Sequence, residues 1–332
     1  MRLTVGKTPK RTVVVASLAL LFGFWGAFIA WRANVIVAGS DLDEGLAAAR
    51  FLMHGLNPYT HVGPGLASPW PWPIYYPLPA FVLEIPFALL SDNVAHLVFV
   101  GLSSALLAAA VARKGEWHML LLFASTAFVN AAVRTQWAPI LMAAFLWPAL
   151  GFVYAAKPNV AAALWGVRPS RSALVGSLVV VAVSFALQPS WLSDWLRASP
   201  MAPHLKPAVL YPWGWLVLFA AFRWREPNAQ MLLFLALIPQ TLAEYAALPL
   251  FLVTGNRREA MVLLLGTALV TLWVHGFHPS KTDMGYIASS GQAMVLACYL
   301  PCSAMLLFRR SPDRRLLRHV GVDVRGSGNP TP

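Results

Sequence analysis

An all-α, polytopic membrane fold is what this sequence predicts, and three observations carry it. Hydrophobic residues make up 58% of the 332 positions, charged residues only 11%, and long uncharged apolar runs recur through the chain. A soluble domain carries about 25% charged residues. Charge is expensive in hydrocarbon, and a helix needs about 20 mostly apolar residues to cross it. The third observation is charge placement. The net charge is +12, from 25 Lys and Arg against 13 Asp and Glu. Basic clusters flank the apolar runs, as they do in cytoplasmic loops, so the excess points to membrane orientation and not to nucleic acid.

The elements follow in order. Residues 1–11 form a basic, cytoplasmic N-terminus with Arg2, Lys7, Lys10 and Arg11. Residues 12–38 read as a retained first helix, because the run is longer than a signal core and no small-x-small cleavage site follows. Further crossings are expected near 93–112, 117–133, 137–156, 172–188, 208–222, 229–241, 244–254, 260–275 and 291–308. That makes about ten, so 12–308 is one transmembrane domain with both ends on the cytoplasmic side. The tail 309–332 is basic, and its Gly, Ser, Asn and Pro predict disorder from 319 onward. Segment 77–91 carries Pro77, Pro79, Pro86 and Glu84 and reads as a broken or re-entrant helix. If it enters and leaves on one face, Arg113-Lys114, Lys157 to Arg171, Arg223 to Arg225 and Arg257-Arg258 all become cytoplasmic. If it crosses, segment 158–168 must restore the count. Cys298 and Cys302 lie four apart on one helix face and read as small packing residues, with no disulfide framework or Cys-based zinc site.

The polar chemistry gathers in the first outer loop, 39–79. Ser40 or Asp41 can cap a helix that holds Glu44 in its first turn and an apolar face through Leu46, Ala49, Phe51, Leu52 and Met53. Gly55 suits its stop and Asn57-Pro58 a turn, which gives an interfacial helix. Trp70, Trp72, Tyr75 and Tyr76 suit the aromatic belt. Segment 189–200 is amphipathic. It is expected to lie at the interface with Trp191, Trp195 and Leu196 toward lipid and with Asp194 and Arg197 toward water.

An Asp followed by a helix ending in Gly-x-Asn-Pro-Tyr, then Tyr-Pro-x-Pro-Ala, resembles the first outer loop of glycosyltransferase family 87, a GT-C type family using polyprenyl-phosphate sugars. The residues that carry the resemblance are Asp41, Ala48, Ala49, Arg50, Gly55, Asn57, Pro58, Tyr59, Tyr76, Pro77, Pro79 and Ala80. Thr135-Gln136, Lys157-Pro158 and Pro239 to Tyr245 are fainter echoes. There the Gly and Asn around Gln136 and the Trp and His around Tyr245 are missing, and Glu244 precedes Tyr245. The resemblance implies a GT-C-like fold and transfer of a sugar, mannose in the mannosyltransferases of that family, from a polyprenyl-phosphate donor to an envelope glycan or glycolipid. It implies Asp41 as general base, with Asp43 as the fallback, and makes Tyr59, Tyr76, Gln136 and Tyr245 candidate substrate-binding residues, which Arg134 and Glu244 join on chemical grounds.

The chemistry makes sense on its own terms. Sugar transfer from a lipid phosphate needs a base beside the acceptor and cations around the leaving group. Arg134, Arg197, Lys206 and Lys281 are candidate cations, and His204, His275 and His278 add switchable donors. Arg197 and Lys206 read as solvated side chains. His275 and His278 lie three apart but lack a third ligand, so no metal and no other cofactor is expected. Glu84 and Glu244 lie in apolar stretches, where acids are costly and face a cavity or orient sugar hydroxyls. Nucleotide-binding and serine-nucleophile motifs are lacking. Two other functions fit the pattern: a transporter or flippase of a lipid-linked substrate, and a non-catalytic relative that assembles with other membrane proteins. The expected partners are membrane lipids, the lipid-linked sugar and its acceptor, no nucleic acid, and in the third case another membrane protein. The expected place is the bacterial inner membrane, with the first loop outside.

Overall fold

The computed structural model describes residues 9–36, 40–198, 205–280 and 282–309. The basic segments 1–8 and 310–332, together with His204 and Lys281, lie outside the described residues. The described chain is almost wholly helical; its sheet is one parallel pairing of Val62–Gly63 with Ser68–Pro69. Four helical stretches are long and apolar enough to cross a membrane: Arg11–Ala33, Asp92–Lys114, Arg257–Phe277 and Met284–Phe308. A fifth appears if Arg171–Leu187 and Trp191–Ala198, bent by 100°, count as one.

Helix α1 (Pro9–Ile36) runs antiparallel to α4 (Asp92–Lys114). Small residues let the two backbones meet. A Cβ on Gly26 would sit 2.3 Å from Ser104 Oγ, and Arg11 donates to the Arg113 carbonyl at 2.7 Å. In the chain, α2 (Asp41–Met53) and α3 (Leu78–Ala88) come between these two helices. Arg50 ties α2 to the junction of α3 and α4 by donating to the Ala88 and Leu90 carbonyls and pairing with Asp92. Arg50 thereby fixes the end of segment 77–91 against the start of α4. Gly115 at φ +76° stops α4.

The chain continues through a 3₁₀ helix, Trp117–Ala124, into α5 (Thr126–Val133), with the Ser125 hydroxyl capping the joint. Segment 137–156, expected as one crossing, is folded in half. Helix α6 (Ala138–Leu146) runs to Trp147, whose ring lies 4.4 Å from the Arg113 guanidinium. A 3₁₀ helix, Pro148–Ala156, returns from there, and Lys157 reaches Gln136. The reversal falls at Pro148, which has no N–H to continue α6. Helix α7 (Pro158–Val167) then repeats the first journey, so that Arg168 donates to the Phe145 carbonyl. Lys157 and Arg168, expected on one face, thus sit at opposite ends.

Helices α8 (Arg171–Leu187) and α9 (Trp191–Ala198), a 3₁₀ helix Gly214–Arg223, α10 (Pro227–Leu237), a 3₁₀ helix Glu244–Val253, α11 (Arg257–Leu272), α12 (Asp283–Met294) and α13 (Leu300–Phe308) complete the bundle. Pro158 and Pro227 open their helices at the first position, where a missing N–H costs nothing. One end of the bundle is basic and clasped: Arg223 pairs with Glu226, and Arg309 with Glu259. The other end carries the first loop.

Candidate active site

A cavity of about 850 Å³ opens at the first-loop end. Ser40 caps α2: its backbone N–H donates to Asp43 Oδ2 at 2.6 Å, and its hydroxyl meets His96 Nε2 at 3.2 Å. His96 also lies 2.8 Å from Asp43 Oδ1. Asp43, the fallback base, is therefore consumed by the cap and does not line the cavity. Asp41, two residues earlier, does. Its backbone N–H donates to the Arg134 carbonyl at 3.3 Å.

The turn between α5 and α6 brings the second wall. Thr135 is buried with φ +51°, a left-handed conformation that costs a β-branched residue on the order of 1–2 kcal/mol. That turn aims Gln136 at Asp41: its Nε2 donates to Asp41 Oδ2 at 2.5 Å. From the far side Lys157 Nζ donates to Gln136 Oε1 at 3.4 Å. A lysine ammonium can only donate, so it fixes which way the amide points. The ammonium also lies 5.7 Å from the Tyr76 ring and 5.8 Å from the Tyr245 ring. Burial pushes the Lys157 pKa down, and Asp41 opposes that shift. A chain Lys157–Gln136–Asp41 thus crosses the cavity wall.

The aromatic cluster of the first loop is part of this wall. Trp70, Trp72, Tyr75 and Tyr76 all line the cavity, with Tyr245 and Tyr286 across from them. Arg134 is exposed at the rim and also lines it. Ala138, Leu141, Val160, Ala246 and Pro249 add an apolar part to the lining. Helix α9 closes one side. Contrary to expectation, Trp191 is buried and Trp195 lines the cavity, its indole donating to the Tyr75 carbonyl at 2.8 Å. Leu192 and Leu196 take the outward positions. Asp194 receives the Asn57 side-chain amide at 2.9 Å, which ties α9 to the end of the interfacial helix. Burying Trp191 and packing Trp195 against the first loop outweigh the lipid-facing role their spacing suggested.

Other expected site residues fall behind the wall. Tyr59 does not line the cavity; its hydroxyl donates to the Tyr76 carbonyl at 3.0 Å and so holds a residue that does. Glu244 is buried and saturated, accepting from Asn130 at 2.6 Å, Thr271 at 2.7 Å and Tyr286 at 3.4 Å, with His275 Nε2 at 2.8 Å. It braces Tyr286 and His275 and touches no cavity space. His278 packs on Trp273 at 4.1 Å, outside the cavity. Lys206 lies over the Tyr211 ring at 4.7 Å, and Arg197 pairs with Asp194 while largely exposed. Among the described residues, no group of three or more His, Cys, Asp or Glu side chains is placed to hold a metal.

Glu44 is the acid that sequence reasoning passed over. It lines the cavity from the same face of α2 as Asp41, three residues on. Burial pushes its pKa well up, and Asp41 adds to the effect. The i, i+3 spacing was the signal available for it.

No protein-family model matches this chain, and the searches of curated proteins and of solved structures return no match.

Proposed function

We propose that the protein is a GT-C type membrane glycosyltransferase of the bacterial inner membrane. It moves a sugar, mannose in our reading, from a polyprenyl phosphate to an envelope glycan or glycolipid acceptor. The single observation that carries this reading is Asp41, held by Gln136, which Lys157 fixes in turn, in a cavity lined by aromatic and charged groups together with apolar ones. Such a cavity suits an amphiphile: sugars stack on aromatic faces, a phosphate seeks Arg134 and Lys157, and a lipid tail follows the apolar lining.

The acceptor hydroxyl attacks the anomeric carbon, and Asp41 takes its proton. The bond from that carbon to the phosphate oxygen breaks, and the electron pair leaves with the polyprenyl phosphate, whose charge Arg134 and Lys157 offset. Direct displacement inverts the anomeric centre. In this reading the basic end faces the cytoplasm with both termini, and the first loop lies outside.

Transfer of labelled sugar in membranes tests it, with wild type beside Asp41→Asn. Asparagine keeps the shape and cannot accept the proton, so transfer should fall by about 10²–10⁴-fold. Wild-type rates in the variant would reject the mechanism.

A further inference from the structure

Glu44 and Glu84 are buried acids that the proposed reaction leaves unused. Glu44 is 7% exposed and Glu84 3%. Each has a carboxyl oxygen without a hydrogen-bond partner, Oε1 of Glu44 and Oε2 of Glu84. Gly45 is what lets them approach: a Cβ there would lie 1.9 Å from Glu84 Oε2, so the Glu84 carboxyl rests on the α2 backbone next to Glu44. Neither acid takes part in an ion pair among the described residues.

The groups that face them come from every packed element. Asp41 lies on α2, and the Tyr75 backbone N–H supports Glu44. Tyr59 and Tyr76 lie within electrostatic reach of Glu44, and Tyr76 also of Glu84. The Trp137 indole hydrogen-bonds to Glu84. His96, on α4, lies against Asp43, and Lys157, in the cavity wall, donates to Gln136. Apart from Asp41 and each other, the titratable groups within electrostatic reach of the two acids are Tyr59, Tyr75 and Tyr76. Two ionised carboxylates in such a place would repel each other, and each would leave an unsatisfied oxygen.

We propose that Glu44 and Glu84 form a buried carboxylic acid pair that shares one proton and acts as the positioning group behind Asp41. One proton gives the orphan oxygens a donor and removes one negative charge, so that Asp41 is the anion presented to the cavity. Two carboxyls that share a site lose their protons in separate steps. Losing the shared proton at alkaline pH adds a negative charge to the cavity wall, which opposes binding of a phosphate-bearing donor. The pair rests on the burial of both acids, their two orphan oxygens and the Gly45 contact; its effect on rate rests on the proposed transfer reaction.

Carbonyl-stretch infrared spectroscopy of the full chain in lipid nanodiscs tests the pair directly. Wild type and Asp41→Asn should both show a protonated-carboxyl band at neutral pH. Either Glu44→Gln or Glu84→Gln should lower the pH at which that band disappears by about one unit or more, and the double variant should remove the band. A wild type without the band, or a band that neither single variant moves, would overturn the proposal. Because the two variants read the pair from opposite sides, one poorly folded variant leaves the other decisive. In the transfer assay Glu44→Gln should extend activity to higher pH through a lower alkaline KM, which a merely structural role would not do. If Asp41→Asn still transfers sugar, the functional reading falls while the infrared result stands.

Discussion

Replacing Lys157 with Met probes the least expected part of the site. The thioether side chain keeps most of the stem's length and apolar contact between Tyr76 and Tyr245 and removes only the ammonium. The ammonium's contact with Gln136 Oε1, at 3.4 Å, is at the long end for a charge-assisted bond. Such bonds contribute about 1.5–3 kcal/mol net, and the distance argues for the lower half of that range. At about 1.4 kcal/mol per factor of ten, kcat/KM should fall roughly ten- to fortyfold. Without the lysine, the Gln136 amide can turn its oxygen toward Asp41 and repel the carboxylate. Lys157→Arg should recover only part of the loss, because a planar fork does not fit the place of a compact ammonium between two rings. Initial transfer rates in proteoliposomes, at several donor concentrations, measure the effect. A Met variant within twofold of wild type would refute the orienting role of Lys157.

Three further outcomes follow from the packing and charge. Arg309→Ala leaves the buried Glu259 without the guanidinium that now meets it at 2.5 and 3.1 Å; it should cost about 1–3 kcal/mol, read as a fall of several degrees in the thermal unfolding midpoint. Gly26→Leu forces a side chain against Ser104 and should loosen α1 from α4 at about 1–3 kcal/mol, read as earlier thermal unfolding and faster proteolysis near the N-terminus. The raised pKa of Glu44 favours the folded state most below its ordinary value of 4.5. That share of stability is lost as pH rises from there through the folded-state pKa, so Glu44→Gln should flatten the decline of the unfolding midpoint on the alkaline side.

Much of the first loop was legible in the sequence because its signals are local. Ser40 caps, Gly55 takes φ +71° just past the helix end, and Asn57 accepts the Tyr59 N–H at 3.0 Å to set the turn. The helical class and the longest apolar stretches were equally plain, since hydropathy registers them directly. What stayed hidden depends on distant contacts. Hydropathy cannot see a chain reversal inside an apolar run, so 137–156 read as one crossing and Lys157 was sent to the wrong end; Pro148 was the one visible hint. Trp195 looked lipid-facing because its helix is amphipathic, and only the first loop's carbonyl at Tyr75 explains why it turns inward. Glu244 was read as a sugar ligand since a buried acid is costly, and the Asn130, Thr271 and Tyr286 donors that satisfy it come from 27 to 114 positions away.

The central claim is that the cavity beside Asp41 holds a lipid phosphate. The most direct measurement is a cryo-electron microscopy structure of Asp41→Asn in nanodiscs with an added polyprenyl-phosphate sugar. The account predicts density for the phosphate within hydrogen-bonding distance of Arg134 or Lys157, with the sugar against Trp72 or Tyr76. An empty cavity, with the lipid phosphate bound elsewhere on the bundle, would contradict it.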